Sequence, residues 1–169
     1  MLVLLLGLAI LLLDQFSKQW IRSSLVYGET RPVIENFFNL TYVRNDGAAW
    51  NILSGHGIIL ILISIAVLVL LFIYRRSFLK EQLSHTILLG LMVGGIAGNL
   101  VDRIRFGWVT DFLDFQFGIY HYPSFNIADS AICIAVGLYI ITNLFSPREK
   151  THGAEGMAHG AEDGEKGDA

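Results

Sequence analysis

Residues 99–129 read NLVDRIRFGWVTDFLDFQFGIYHYPSFNIAD, and this stretch decides how the chain is to be understood. Four aspartates, Asp102, Asp111, Asp114 and Asp129, fall inside it, and apolar runs long enough to cross a bilayer flank it on both sides. An ionised carboxylate near hydrocarbon costs about 2.5–3.5 kcal/mol even on lenient insertion scales. Carboxylates persist in such a setting only when they pair, face water or do chemistry.

Composition points the same way. The chain is 53% hydrophobic and 16% charged, with a mean hydropathy of +0.53, whereas average soluble chains carry about 25% charged residues. The net charge of −3 belongs to the C-terminus, where Glu149, Glu155, Glu162, Asp163, Glu165 and Asp168 face only Arg148, Lys150 and Lys166. Residues 1–147 are therefore neutral, and the acidic balance says nothing about a partner surface. No basic stripe interleaved with aromatics occurs, so no nucleic-acid partner is expected. Cys133 is the only cysteine. It rules out an intrachain disulfide and, by itself, a zinc site; inside its apolar run it is expected to be buried and inert.

Hydropathy divides the chain into four spans. Residues 2–21 read as a retained transmembrane helix, since the first charge is Asp14 and a signal peptide would need a basic start and a small-residue cleavage site. Residues 57–74 contain no charge at all. The third span, about 84–104, carries Gly90, Gly94, Gly95 and Gly98 at spacings that let another helix approach closely. The fourth, about 125–145, opens on the polar FNIADS.

Between the first two spans, residues 22–56 change character. Short β-branched and aromatic runs such as Phe37–Val43 are bounded by turn residues and read as strands, and Asn45-Asp46-Gly47 reads as a tight turn. A module this small has no core of its own and is expected to pack on the helices or the membrane surface. Residues 148–169, rich in Gly, Ala, Glu and His, cannot bury enough apolar surface to fold and read as a disordered tail. The fold class expected is an all-α membrane protein, residues 1–147, with four transmembrane helices and a small β module between helices 1 and 2. Both termini then share a side with Arg75, Arg76 and Lys80, which the positive-inside rule assigns to the cytoplasm. Arg22, Arg31, Arg44, Arg103 and Arg105 match that count on the other side; Arg44 and Arg103 read as site residues rather than topology signals.

The polar residues of the spans are spaced to converge. Asp14 and Lys18 are four apart on one face of the first helix. Asn99, Asp102 and Arg103 share a face of the third, and Asn126 and Asp129 a face of the fourth, with Asp111 and Asp114 in the connector between them. The topology brings all of these to one membrane boundary. Two carboxylates meeting at a low-dielectric boundary share one proton, which is the arrangement with which aspartic peptidases activate water. From spacing alone, a hydrolytic dyad, an ion network pairing helices and a cation or proton pathway all remain open.

DQFSK (14–18), VRNDGAAW (43–50), GNLVDR (98–103), VTDFLDF (109–115) and FNIADS (125–130) occur in the order and spacing of one family, and across about residues 14–144 the chain resembles lipoprotein signal peptidase, signal peptidase II. The resemblance implies a bacterial cytoplasmic-membrane aspartyl endopeptidase with four transmembrane helices and a small β-cradle at the outer face. It implies diacylglyceryl-modified prolipoproteins as substrates, cut before the lipidated cysteine, and inhibition by globomycin. Carried over by motif, Asp111 and Asp129 would be catalytic. Asn45, Asn99, Arg103 and Asn126 would bind substrate or order the site. Asp14, Lys18, Gly47 and Asp102 would be supporting, and Asp114 would lie outside the dyad. No metal or other cofactor is implied; the partners are substrate, membrane lipid and inhibitor, and a monomer is expected. A metal-dependent membrane transferase would need an acid pair followed closely by Gly and an Ala-Arg step on one helix. A transporter would carry carboxylates deep in several spans. Neither pattern is present. A purely structural membrane protein is the fairest competitor from the residues alone.

Overall fold

The computed structural model describes residues 1–78 and 83–145. The chain runs α1 (Leu2–Ser24), β1 (Thr30–Ile34), β2 (Phe38–Asn45), a short 3-10 turn (Ala49–Asn51), α2 (Gly57–Phe78), α3 (Leu83–Phe106), β3 (Val109–Phe117), β4 (Tyr120–His121) and α4 (Ile127–Phe145). The expected tail and Lys80 lie outside the described residues.

Among the described residues, α1, α2 and α3 are long and apolar enough to cross a membrane, while the apolar part of α4, Ile127–Thr142, is shorter. At about 1.5 Å per residue, the 23 residues of α1 exceed the roughly 30 Å of a hydrocarbon core. α1 continues three residues past its expected end at Ile21, because Ile21 and Leu25 bury against the sheet rather than ending at the membrane boundary.

The third helix is the centre of the bundle. α3 packs against α1, α2 and α4, and 44% of its most apolar window is buried, against 11% for α2. Its glycines make this possible. A Cβ on Gly94 would stand 2.6 Å from the Gly7 carbonyl oxygen of α1, and one on Gly95 2.6 Å from the Ala128 carbonyl oxygen of α4. The expected close approach at these residues is therefore present, on both sides of the helix. The outward faces stay apolar, as at Leu4, Phe16, Leu62 and Phe72, which suits acyl chains rather than water.

The β structure differs from expectation in where it comes from. The sheet has four antiparallel strands in the order β1-β2-β3-β4, and half of them arise from the segment read as a connector between the third and fourth spans. Gly107 ends α3: its N–H bonds to the Arg103 carbonyl at 3.0 Å and its φ is +81°, a left-handed terminus open to glycine. β3 then pairs along β2, with Phe38 opposite Phe115 and Asn45 opposite Val109. A register shift between Leu40 and Val43 sits beside Asp111. The small core beneath, Ile21 and Leu25 from α1, Tyr42 from β2 and Phe112 from β3, bears out the expectation that this module packs on a helix. Cys133 is a correction: it is exposed on the outer surface of α4, not buried, because the inner face of that helix is taken by Ala128, Ala131 and Ala135.

The close helix crossing makes a direct prediction. Gly94→Ala should lower stability by about 1–3 kcal/mol through overpacking. Gly137→Ala, whose Cβ would meet nothing within 4 Å, should be neutral or slightly stabilising, by up to about 1 kcal/mol. Thermal unfolding of the detergent-solubilised variants compares the two.

Candidate active site

Two ladders fix where the acids sit. β3 is held on one side by β2 and on the other by a short bridge to the residue before α4, through Phe112 N–H and Leu113 N–H to the Phe125 carbonyl (3.0 and 2.8 Å) and Phe125 N–H back to the Leu113 carbonyl (3.1 Å). Strand alternation puts Thr110 and Phe112 on the face that meets α1, and Asp111 on the other. The bridge at Leu113 and Phe125 then delivers Asn126 to Asp111.

Asn126 is the N-cap of α4 and touches both carboxylates. Its Oδ1 accepts the Asp129 N–H (3.0 Å) and its own N–H donates to Asp129 Oδ2 (3.3 Å), a reciprocal capping box of the N-x-x-D kind. Its Nδ2 donates to Asp111 Oδ1 at 2.7 Å. Asn45 Nδ2 donates to Asp111 Oδ2 (2.9 Å), oriented by the Gly47 N–H that bonds to Asn45 Oδ1 (3.0 Å). Asn99 Nδ2 donates to Asp129 Oδ1 at 2.7 Å. Each of the four carboxylate oxygens thus accepts a bond from an amide N–H. Arg103 donates through Nη2 to the Gly47 carbonyl (2.8 Å), while its Nε is buried without a partner among the described residues. A cavity of about 410 Å³ opens beside it, between the Gly55–Ile58 stretch and Gly107.

Burial, with the Asp129 charge as the second cause, pushes the Asp111 carboxyl up to about 7. Desolvation disfavours an isolated charge, and a neighbouring carboxylate disfavours it further.

Behind the pair lies a fully buried ionic cluster. Lys18 Nζ is 2.8 Å from Asp14 Oδ2, 3.5 Å from Asp102 Oδ2 and 2.8 Å from Asn99 Oδ1. Asp14 Oδ1 accepts the Ala128 N–H (2.9 Å), and Asp102 Oδ2 accepts the Thr110 N–H (3.0 Å). Gln15 Nε2 reaches Asp14 Oδ2, Asp102 Oδ1 and the Gly98 carbonyl at 3.0–3.2 Å. Of the residues expected to support the site, Asp14, Lys18 and Asp102 are therefore together, one layer away from the two carboxylates, whereas Gly47 stands apart, beside Asn45 and Arg103. Asp114 is elsewhere: it accepts from Asn39 Nδ2 at 2.8 Å, with His121 Nδ1 3.6 Å away. Gln15, Asn39 and Thr110 were not foreseen. Asn39 and Thr110 acquire partners only through strand register, and Gln15 gave no signal beyond adding polarity to a membrane helix.

The family described as Signal peptidase (SPase) II matches residues 6–145. The chain is 39% identical over 153 residues to a lipoprotein signal peptidase of Serratia proteamaculans (strain 568), covering 87% of this chain and 89% of that one. It is 42% identical over 147 residues to a lipoprotein signal peptidase of Syntrophus aciditrophicus (strain SB), covering 84% and 91%. Among solved structures it is similar to a bacterial membrane enzyme determined by the in meso method at 2.3 Å, with a TM-score of 0.77, 36% identity and coverage of 84% and 87%. A second such structure, at 1.9 Å, gives a TM-score of 0.75 at 36% identity, with coverage of 86% and 94%.

The cap at α4 can be tested without reference to activity. Asn126→Ala should cost about 1–2 kcal/mol of stability, whereas Asn126→Ser, which restores an N-cap oxygen, should recover most of that loss. Thermal midpoints in detergent measure both.

Proposed function

The chain belongs to the signal peptidase II family, bacterial membrane proteases that remove signal peptides from prolipoproteins, and we propose that it does so as an aspartyl endopeptidase with Asp111 and Asp129 as its catalytic pair. The observation that carries this reading is Asn126, which bonds to both side chains at once. Asp14 and Asp102 also share an uncharged bridging residue, Gln15, but both are salt-bridged to Lys18, whereas the bonds to Asp111 and Asp129 come from asparagines.

In this reading the substrate is a diacylglyceryl-modified prolipoprotein, and the bond cut precedes the lipidated cysteine. The pair holds one shared proton, drawn here on Asp111, whose carboxyl is pushed up by burial and by the Asp129 charge. A water between the carboxylates gives one proton to ionised Asp129, and its oxygen attacks the scissile carbonyl carbon. The Asp111 proton passes to the carbonyl oxygen, leaving a tetrahedral diol. Collapse of the diol breaks the C–N bond. The proton on Asp129 goes to the leaving amine, and one diol hydroxyl returns its proton to Asp111. The free Nε of Arg103 faces the role of donor to a substrate carbonyl, and Asn45 and Asn99 hold the two carboxylates in place.

The same reading assigns the chain to the cytoplasmic membrane with α4 as the fourth crossing, both termini in the cytoplasm and the sheet as a cradle at the outer face. The diacylglyceryl group stays in the bilayer beside the helices while the peptide enters the polar site. Globomycin inhibits, no metal or nucleotide takes part, and the unit is a monomer.

Purified enzyme with a lipidated prolipoprotein provides the test. Asp111→Asn and Asp129→Asn should each abolish cleavage, by roughly 10⁴-fold or more, if the two act as one unit, while both variants stay folded and membrane-inserted. Asp114→Asn should retain activity within about tenfold, since its loss touches only Asn39 and His121. Inactivation by Asp114→Asn as complete as by Asp111→Asn would overturn the choice of pair.

A further inference from the structure

The buried cluster around Lys18 has a geometry that a helix-pairing ion network does not require. Asp14 takes the backbone N–H of Ala128, the residue immediately before Asp129. Asp102 takes the backbone N–H of Thr110, the residue immediately before Asp111. The two acids come from different helices, α1 and α3, and grip two further elements, α4 and β3. Lys18 joins them by lying 2.8 Å from one and 3.5 Å from the other, and Gln15 Nε2 braces the same two carboxylates at 3.2 and 3.0 Å. A third arm runs from Lys18 Nζ through Asn99, whose Oδ1 is held at 2.8 Å so that its Nδ2 must face Asp129.

We propose that Asp14, Lys18, Asp102 and Gln15 form a clamp that sets the separation of Asp111 and Asp129, and that these four are positioning residues for the reaction. The inference rests on the catalytic pair proposed above. The physical reason for an ionic clamp is distance tolerance. Asp111 and Asp129 repel each other when ionised, and they stand on elements joined by a nine-residue turn-rich segment after β3, from Gly118 to Asn126. The bridge at Leu113 and Phe125 fixes that segment in one direction only. Anchoring the amide just before each aspartate fixes its Cα, and one ammonium holding both anchors makes their spacing a single quantity. Lys18, Asp14 and Asp102 have no exposed surface, so solvent neither screens nor loosens the contacts. Arg22 adds a second hold on the β3 side, from Nη1 to Thr110 Oγ1 at 2.9 Å and to Asp102 at 3.8 Å.

A clamp and a plain structural network make different kinetic predictions. Displacement of a reacting group by about 1 Å costs on the order of 100-fold in rate and leaves substrate binding alone. Asp14→Asn/Lys18→Met removes two opposite charges together and keeps an oxygen for the Ala128 N–H, but it loses the join between the anchors. Its kcat per folded molecule should fall on the order of 100-fold, with KM within about twofold of the parent. Gln15→Leu removes the second brace, with its bond to the Gly98 carbonyl, and also deletes an acceptor, Gln15 Oε1, that is buried without a partner, so it should fold as the parent does. It should lose about three- to tenfold in kcat, again without a change in KM. The folded fraction is read by thermal unfolding and gel filtration in the same detergent, and Gln15→Leu decides the question should the double variant not fold. An unchanged kcat per folded molecule, or a loss confined to KM, would overturn the clamp. If Asp111→Asn and Asp129→Asn are inactive while both clamp variants turn over like the parent, the clamp alone falls. If either of those asparagine variants cleaves normally, the catalytic pair falls with it.

Discussion

A single ammonium group, Lys18 Nζ, lies out of reach of solvent among two carboxylates and an amide oxygen, and the placement of the site depends on it. Removing such a charge from water costs several kcal/mol after relaxation, which only good geometry and several partners repay. Here the partners are Asp14, Asp102 and Asn99, contributed by two helices. Gly98 marks how tightly those helices meet, since a Cβ there would stand 2.5 Å from Asp14 Oδ2. Small residues on α3 thus do more than pack helices. They bring the acids of α1 and α3 close enough for one cation to serve both.

The second constraint is that a strand must lie beside the helices. Asp111 is held by a strand paired along β2 and bridged to Phe125. The bulge between Leu40 and Val43 falls next to it, where bulges commonly re-aim a side chain. The sheet's other face packs Tyr42 and Phe112 onto the end of α1. The site therefore sits between a paired strand and the first turn of α4, with amide groups donating to all four oxygens of the two acids. Membership of the signal peptidase II family gives this arrangement its chemical meaning.

Much of this was legible in the sequence because membrane helices announce themselves by length and hydropathy, and because i, i+3 and i, i+4 spacing places Asn99 with Asp102 and Asn126 with Asp129. The glycines of α3 and the turn at Asn45-Asp46-Gly47 were equally readable, since each residue type is tied to one local geometry. VTDFLDFQF reads as a connector because its apolar and polar residues do not alternate strictly: both faces of β3 are covered, one by α1 and one by the site. Its pairing with β2 joins residues some seventy positions apart, from Phe38 and Phe115 to Asn45 and Val109, and no local pattern encodes that register. The partners of Asn39, Thr110 and Gln15 follow from the register and the helix crossing, so they became visible only with the fold. Cys133 departs from expectation for a related reason: an apolar run does not say which of its faces meets the bundle.

The central claim is that Asp111 and Asp129 hold one proton between them, with the Asp111 carboxyl titrating at about 7. Infrared difference spectroscopy of the purified protein across neutral pH reads this without substrate, because a protonated carboxyl absorbs apart from a carboxylate. The account predicts one buried carboxyl band that disappears as pH rises through about 7 and is changed by both Asp111→Asn and Asp129→Asn. A band that survives both substitutions, or no protonated carboxyl on the acid side of neutrality, would contradict it.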